Sequence, residues 1–400
     1  MQRLLNRYIA REIAVPFGMI LCVLTFVLLM GKILQIMDLM INKGIDFTHI
    51  ARLMLYLVPS FLMFTIPISL LMAILIGLGR LSGDNEWTVM RISGLSLYQL
   101  SAPVAGFALA AFFMTLLTTL FLVPYGNLAS KELLFDMARQ KASIGIKEKV
   151  FIDDFQGILL YTENVPAHGD FLEGVLISDS RISREPSTII ARRAYLVSNP
   201  DTMVMTLRLE DGSTHTVDAA LNHYRKMDFR FYDIRLDLSP TLTGNDKPGQ
   251  KSSTEMSLSE MTWILNHGTL KGEALRELAI ELHKKVTIPL SCLVFALIGT
   301  PLGIRAHRSV RARGFTIGLG LVLIYYLLRL SGEALVETGR LAPAIGTWTP
   351  NVMFAVAGLL LFIASAREWT PRQVLRRIGI VPKASGREEQ SASGRDRGAS

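Results

Sequence analysis

The sequence predicts a membrane α-helical protein of six transmembrane helices, arranged three plus three, with an all-β, jelly-roll-like domain inserted between the two halves. Three observations carry this. Apolar residues make up 50% of the chain and bunch into runs of about 18 or more, the length that crosses a hydrocarbon core of ~30 Å. The central stretch is mostly polar and alternates with the period of a strand. Lys and Arg cluster at those span ends that six crossings would place on one side.

The spans fall near residues 13–37, 50–79 and 100–123, then 279–304, 315–336 and 350–366. Span one has no small-residue cleavage site and runs well past a short signal core, so it is expected to remain as an anchor. Pro59 and Pro67 in span two, and Pro289 and Pro301 in span four, are expected to kink those helices. Gly314, Gly318 and Gly320 on span five, and Ala102, Gly106 and Ala110 on span three, form small-residue edges where helices can touch, inside the chain or with a second protein. Both cysteines, Cys22 and Cys292, lie in spans. The insert must therefore hold together without disulfides.

Orientation follows from the basic residues. Arg3, Arg7 and Arg11, then Arg305, Arg308, Arg311 and Arg313, and finally Arg367, Arg372, Arg376 and Arg377 all fall on the cytoplasmic side if the chain crosses six times. Both termini are then cytoplasmic and the insert periplasmic, in a bacterial inner membrane. Residues 1–124 carry spans one to three, 125–270 the β domain, 271–370 spans four to six, and 371–400 a tail expected to be partly disordered. The insert holds 16 basic and 20 acidic side chains, net −4, whereas the whole chain is +8. With the basic excess confined to span ends and no binding motif beside it, nucleic acid is excluded as a partner.

Within the insert, the alternation of Met203, Met205, Leu207 and Leu209 followed by Asp211-Gly212 predicts a hairpin with its second strand at 214–217. Met227, Phe229 and Phe231 share a face, and Tyr232, Ile234, Leu236 and Leu238 continue in the opposite phase, which a β-bulge near Phe231 and Tyr232 would reconcile. Further strands are expected at 157–161, 174–178 and 187–196. Residues 127–141 read as helical, and 241–257 as an exposed linker.

Signatures of ATP hydrolysis, zinc chemistry and acyl transfer are missing: there is no GxxxxGK[ST], HExxH, CxxC or GxSxG. No cofactor is expected on the chain itself. Asp153 and Asp154 are adjacent on a strand-like segment and so point to opposite faces, a poor catalytic pair. Charges at membrane depth say more, because each costs at least ~2.5 kcal/mol unless it pairs, snorkels or lines a cavity. Lys32 lies ~28 Å along span one. Lys284, Lys285 and Arg329 reach the same outer level, where they could meet the phosphates of a lipid headgroup. Snorkelling, with Glu281 pairing to Lys285 and Glu333 to Arg329, is the alternative. Arg52 reads as an interface anchor.

Residues 82–94, between spans two and three, offer Ser82 or Asp84 as N-cap, Glu86 in the first turn, and Trp87, Met90 and Ile92 as apolar anchors. A short helix lying on the cytoplasmic membrane surface is expected there. Such a helix suits docking to a separate ATPase.

The RYIARE run from Arg7 to Glu12, the GRLSGDNEWTVMRISGLS block from Gly79 to Ser96 and the LIGTPLGI run from Leu297 to Ile304 resemble the LptF/LptG lipopolysaccharide-export permease family, over essentially the chain up to Arg377. The start is closer to the F type than the G type. The resemblance implies a jelly-roll periplasmic domain, a heterodimer with a related LptG-type permease, a pair of LptB-type ATPases that handle ATP and Mg, an LptC-type bridge protein at the periplasmic face, and lipopolysaccharide as cargo. It further implies that Asp84, Glu86, Trp87, Met90 and Arg91 belong to the coupling helix, and that Lys32 faces lipopolysaccharide. Gln35 stands where the F type often has a second basic residue. Two other readings differ in class: another ABC-type envelope lipid or lipoprotein exporter, and a membrane enzyme for lipid headgroups with Glu333 and Glu337 as its acids.

Overall fold

The computed structural model describes residues 2–41, 46–94, 96–145, 148–155, 157–166, 171–181, 187–199, 204–217, 224–236, 251–268, 270–304 and 312–367. Among the described residues, six helices are long and apolar enough to cross a membrane: Arg3–Gln35, Phe47–Gly83, Leu97–Met137, Glu273–Ile304, Gly314–Glu337 and Pro343–Ala366. In chain order the helices are α1 (Gln2–Ile41), α2 (Phe47–Gly83), α3 (Glu86–Ile92), α4 (Leu97–Leu117), a π-helical turn (Thr118–Leu122) and α5 (Val123–Gly145). After the sheet come α6 (Leu258–His267), α7 (Glu273–Ile304), α8 (Ala312–Glu337) and α9 (Pro343–Ala366). The basic connection at 305–311 and the tail from residue 368 lie outside the described residues.

The chain forms two compact units. The first comprises residues 1–27, 62–119 and 264–400; the second, 28–61 and 120–263. In the first, α7 is the most enclosed span, with 78% of its apolar window buried, against 6% for α1 and 17% for α8. The small residues of the LIGTPLGI run explain this. A Cβ on Gly299 would stand 3.2 Å from Ile74 and Leu71, and one on Gly303 would stand 2.9 Å from Leu78, so α7 lies directly on α2. Gly314 and Gly318 likewise press α8 onto Leu75 and Met72 of α2, whereas Gly320 and Gly106 have open space in front of them. The span-five edge is thus used inside the chain at two of its three glycines.

Ile9, Ile13, Leu70, Ile74, Leu78, Val104, Ala108 and Cys292 form one core of this unit. A second gathers Leu71, Phe295, Tyr325 and Phe354. Both α2 and α7 run unbroken through their prolines.

The second unit holds a six-stranded antiparallel sheet in the consecutive order β1 to β6, with strands Phe151–Phe155, Ile158–Asn164, Phe171–Asp179, Ser187–Asn199, Val204–Val217 and Tyr224–Leu236. The three strands expected at 157–161, 174–178 and 187–196 are β2, β3 and β4. Neighbour-to-neighbour pairing differs in detail from the crossed strand order of a two-Greek-key jelly roll. Ile158, Leu160, Val175, Ile177, Ile189, Met205, Leu207, Leu209 and Ile234 line its buried face, joined by Phe135 of α5. The helix expected at 127–141 is therefore present and also supplies sheet core. Leu133 and Met137 of α5 pack on Ile50 and Leu53 of α2.

Two strand-level expectations are corrected. Asp211-Gly212 is no turn: β5 runs through it, pairing with β4 on one side and β6 on the other in unbroken register. Asp211 takes a left-handed φ of 51°, and a Cβ on Gly212 would collide with the Ile190 carbonyl and the Phe229 ring. The pair reads as a turn only if its own flanks bond to each other, and here longer partners claim both. Nor is there a bulge at Phe231 and Tyr232, since β6 keeps one register throughout. Phe231 stays exposed, and the irregularity lies instead in β1, between Ile152 and Phe155. The expected linker at 241–257 is described only from residue 251, and there Glu255 is buried against Lys131 at 3.0 Å rather than exposed.

Candidate functional site

Within the first unit, two places gather the polar side chains singled out in the sequence: the connection between α2 and α4, and the facing turns of α7 and α8.

At seven residues, α3 is too short to persist by its own hydrogen bonds and depends on packing. Trp87 and Met90 enter an apolar cradle made by Leu78, Leu81, Leu100 and Ile304. Val89 and Ile92 are 62% and 83% exposed. Ile92 is therefore no anchor: residues three apart share a helix face, so Trp87 and Met90 take the inner one and leave Val89 and Ile92 outside. The N-cap also differs from expectation. It is Asn85, at φ 59° and with no side-chain cap bond. Asn tolerates this left-handed conformation better than most residues. Ser82 Oγ donates instead to the Ile304 carbonyl at 2.6 Å, which satisfies one of the orphan carbonyls at the end of α7.

The polar side of this connection is held by α1. Tyr8 Oη donates to Glu86 Oε2 at 2.8 Å. Arg80 Nη1 stands 2.7 Å from Glu12 Oε1, and its Nε 3.7 Å from Asp84 Oδ2. Pro16 deprives the Glu12 carbonyl of its helical donor, and at that oxygen the backbone of α2 comes so near that a Cβ on Gly77 would stand 2.8 Å away. Arg91 is exposed at the end of α3. In the sequence the RYIARE run stands out only as a motif, with no separate role for Tyr8, Glu12 or Arg80. The available signal was the four-residue spacing of Tyr8 and Glu12 beside that of Ile9 and Ile13, a polar edge flanking a buried one.

Where α7 faces α8, Lys284 Nζ lies 2.8 Å from Glu281 Oε1 and 3.0 Å from Glu333 Oε2, while Arg329 Nε lies 2.8 Å from Glu333 Oε1. The Arg329 guanidinium also rests over the rings of Phe64 and Tyr326, at 5.2 and 5.8 Å. Two cations and two carboxylates, all mostly buried, sum to zero charge. The pairing of Glu333 with Arg329 is the expected one. Glu281, however, takes Lys284, one residue closer than the expected Lys285, because the i, i+3 side chain is the one that also faces Glu333. Lys285 is buried at 6% exposure. Glu333 is committed to two cations and Glu337 is exposed, so they do not form a close acid and base pair.

Lys32 belongs to the second unit, on α1, and donates to Gln35 Oε1 at 3.3 Å. The structure thus brings Lys284 and Arg329 together through Glu333, gives Lys32 a neutral amide partner, and groups Asp84, Glu86, Trp87 and Met90 around α3. Arg52 is exposed on α2. Among the described residues, no group of three or more His, Cys, Asp or Glu side chains is placed to hold a metal ion.

Comparison with known proteins adds a family. The model described as "Lipopolysaccharide export system permease LptF/LptG" matches residues 7–364. The LptF export permease protein of Escherichia coli K12 is 23% identical over 360 residues, covering 89% of this chain and 93% of its own. The LptF protein of Shigella flexneri matches to the same extent. An uncharacterised Rickettsia prowazekii protein is 22% identical over 302 residues, covering 74% of this chain and 81% of its own.

Proposed function

Because the chain belongs to the LptF/LptG family of lipopolysaccharide export system permeases, we propose that it is the F-type permease subunit of an ABC transporter, lifting lipopolysaccharide from the inner membrane toward a periplasmic bridge. The observation that carries the ABC reading is α3: a short helix tucked in through Trp87 and Met90 while Val89 and Ile92 stay exposed. Apolar side chains presented at the end of a connection between two spans suit a groove on another protein. With no nucleotide-binding motif in the sequence, that protein is an LptB-type ATPase dimer, which supplies ATP and Mg chemistry.

A related LptG-type permease completes the cavity. Support comes from spans one and five, whose apolar surfaces are the least covered of the six; Val23, Phe26, Leu319 and Leu323 are all more than half exposed. Lipopolysaccharide enters between these spans of the paired subunits, with both termini cytoplasmic and the β domain periplasmic. Lys32, Lys284, Lys285 and Arg329 contribute cations for its phosphates. Lys284 and Arg329 engage them only by exchanging Glu281 and Glu333, since their charges are already balanced. Nucleotide-driven closure of the ATPases then collapses the cavity and pushes the lipid toward an LptC-type bridge.

The experiment is a pair of substitutions in the assembled transporter. Glu86→Lys is expected to lower lipopolysaccharide release and ATPase copurification while the permease stays folded; normal export by this variant removes the docking assignment. Lys32→Glu is expected to lower photocrosslinking to lipopolysaccharide from a probe in span one, and an unchanged yield removes Lys32 from the cargo path.

A further inference from the structure

Of the described side chains in α1, only Ile9 and Ile13 are fully buried. The turns that carry them also carry Tyr8, bonded to Glu86 at 2.8 Å, and Glu12, paired with Arg80 at 2.7 Å. Arg80 in turn reaches Asp84 at 3.7 Å, and Gly77 leaves no room between the two backbones at Glu12. Farther along, the first unit offers α1 a hydrogen bond between Thr25 and Thr65 at 3.1 Å, while Val15, Met19, Val23, Phe26 and Val27 are each more than half exposed. Phe17 and Leu21 also pack on the core, Phe17 edge-on to Phe107 at 5.2 Å, but the ion pair, the phenol–carboxylate bond and the backbone approach without a Cβ all grip the segment from Gly77 to Glu86. The contacts are also mechanically suited to transmit force. A backbone approach without a Cβ resists compression, while a phenol on a carboxylate and a guanidinium on a carboxylate resist separation and are directional.

We propose that Tyr8 and Glu12 are positioning residues that tie span one to the coupling helix, so that a displacement imposed on α3 reaches span one directly and not only through α2 and α4. This rests on the reading of α3 as the ATPase-docking helix. It predicts a loss of coupling rather than a loss of docking, because changes at Tyr8 and Glu12 leave the side chains of Glu86, Val89 and Ile92 on α3 in place.

The test uses the reconstituted transporter and reads three quantities together: ATPase copurification, ATP turnover, and lipopolysaccharide released per ATP hydrolysed. For Tyr8→Phe combined with Glu12→Gln, copurification and turnover are expected to hold while lipid released per ATP falls about fivefold, the scale of a coupling contact. An unchanged ratio overturns the proposal, as does a fall that merely accompanies loss of the ATPase. A second variant guards against misfolding. In a Cys22→Ala background, Glu12→Cys with Arg80→Cys should lower the ratio, and a short bismaleimide bridge between the two should restore about half of it; no recovery on bridging also overturns the proposal. Glu86→Lys serves as the separate control. If that variant keeps its ATPase, the docking reading of α3 fails, whatever the Tyr8 and Glu12 variants do.

Discussion

Thr119 Oγ1 shares its single proton between the Leu116 carbonyl at 3.0 Å and, at 3.3 Å, the backbone carbonyl of Lys285, the oxygen that Pro289 leaves without its helical donor. Proline cannot supply the N–H that would close this turn of α7. A buried carbonyl with no partner is costly, and a threonine hydroxyl from a neighbouring helix is one of the few ways to satisfy it where water is scarce. Thr119 reaches it from the π-helical turn between α4 and α5. Nearby, Asn351 Nδ2 donates to the Thr287 carbonyl at 2.8 Å, and Asn351 Oδ1 accepts from Tyr325 Oη at 2.9 Å.

Replacing Thr119 by the isosteric Val should therefore destabilise the protein by about 1 kcal/mol, with Ser nearly neutral. Pro289→Ala supplies the missing N–H. The penalty of Thr119→Val should shrink in that background, and thermal unfolding of the four variants in detergent would show whether the two positions couple or simply add.

Glu333 is the shared anion of Lys284 and Arg329. Glu333→Gln leaves two buried cations facing a single carboxylate, Glu281, so a loss of about 3 kcal/mol is expected. The freed cations should also recruit an outside anion. More phospholipid phosphate per protein is expected to copurify with Glu333→Gln than with the wild type, and an equal phosphate content would show that the cluster is closed to headgroups.

Close approach of spans five and six depends on Gly332, where a Cβ would run into the carbonyl of Gly346, itself deprived of a donor by Pro350. Gly332→Ala should cost about 2 kcal/mol as the helices part or distort. Gly106→Ala and Gly320→Ala have nothing within 4 Å to meet in the chain, and because Ala is the better helix former they should not lower the melting temperature.

In the β domain, burial pushes the Asp179 carboxyl up, but hydrogen bonds and charge from Arg181 outweigh it and hold its pKa below the ordinary 3.8. Arg181 Nη2 sits 2.8 Å from Asp179 Oδ2, and Nη1 donates to the Arg235 carbonyl at 2.8 Å. A carboxyl whose folded pKa is depressed contributes its full stability above its unfolded value and loses it as pH falls through the folded one. Asp179→Asn is expected to cost about 1.5 kcal/mol at pH 7. Below pH 3.8 the difference between wild type and variant should narrow, which circular dichroism melts at pH 7, 5 and 3 would reveal. Asp233 is also held low, by its hydrogen bond to Arg208. With both side chains close to half exposed, that pair should add little.

The order of amino acids by itself determined the six spans, the inserted all-β domain and the short helix between spans two and three. Each of these is a local periodicity or a run of apolar residues, summed over enough positions to outweigh any single exception. It also singled out Trp87, Met90 and Glu86, and the pairing of Arg329 with Glu333, because partners within one helix turn are set by spacing alone. Tertiary structure decided the rest. Tyr8 meets Glu86 across 78 positions and Thr119 meets Lys285 across 166, separations over which sequence spacing carries no distance. Glu281 chose Lys284 over Lys285 because Glu333 approaches from another helix, and Asp211-Gly212 became mid-strand because β4 and β6 claimed its flanks. In each case a local preference worth at most about 1 kcal/mol yielded to a partner delivered by the fold.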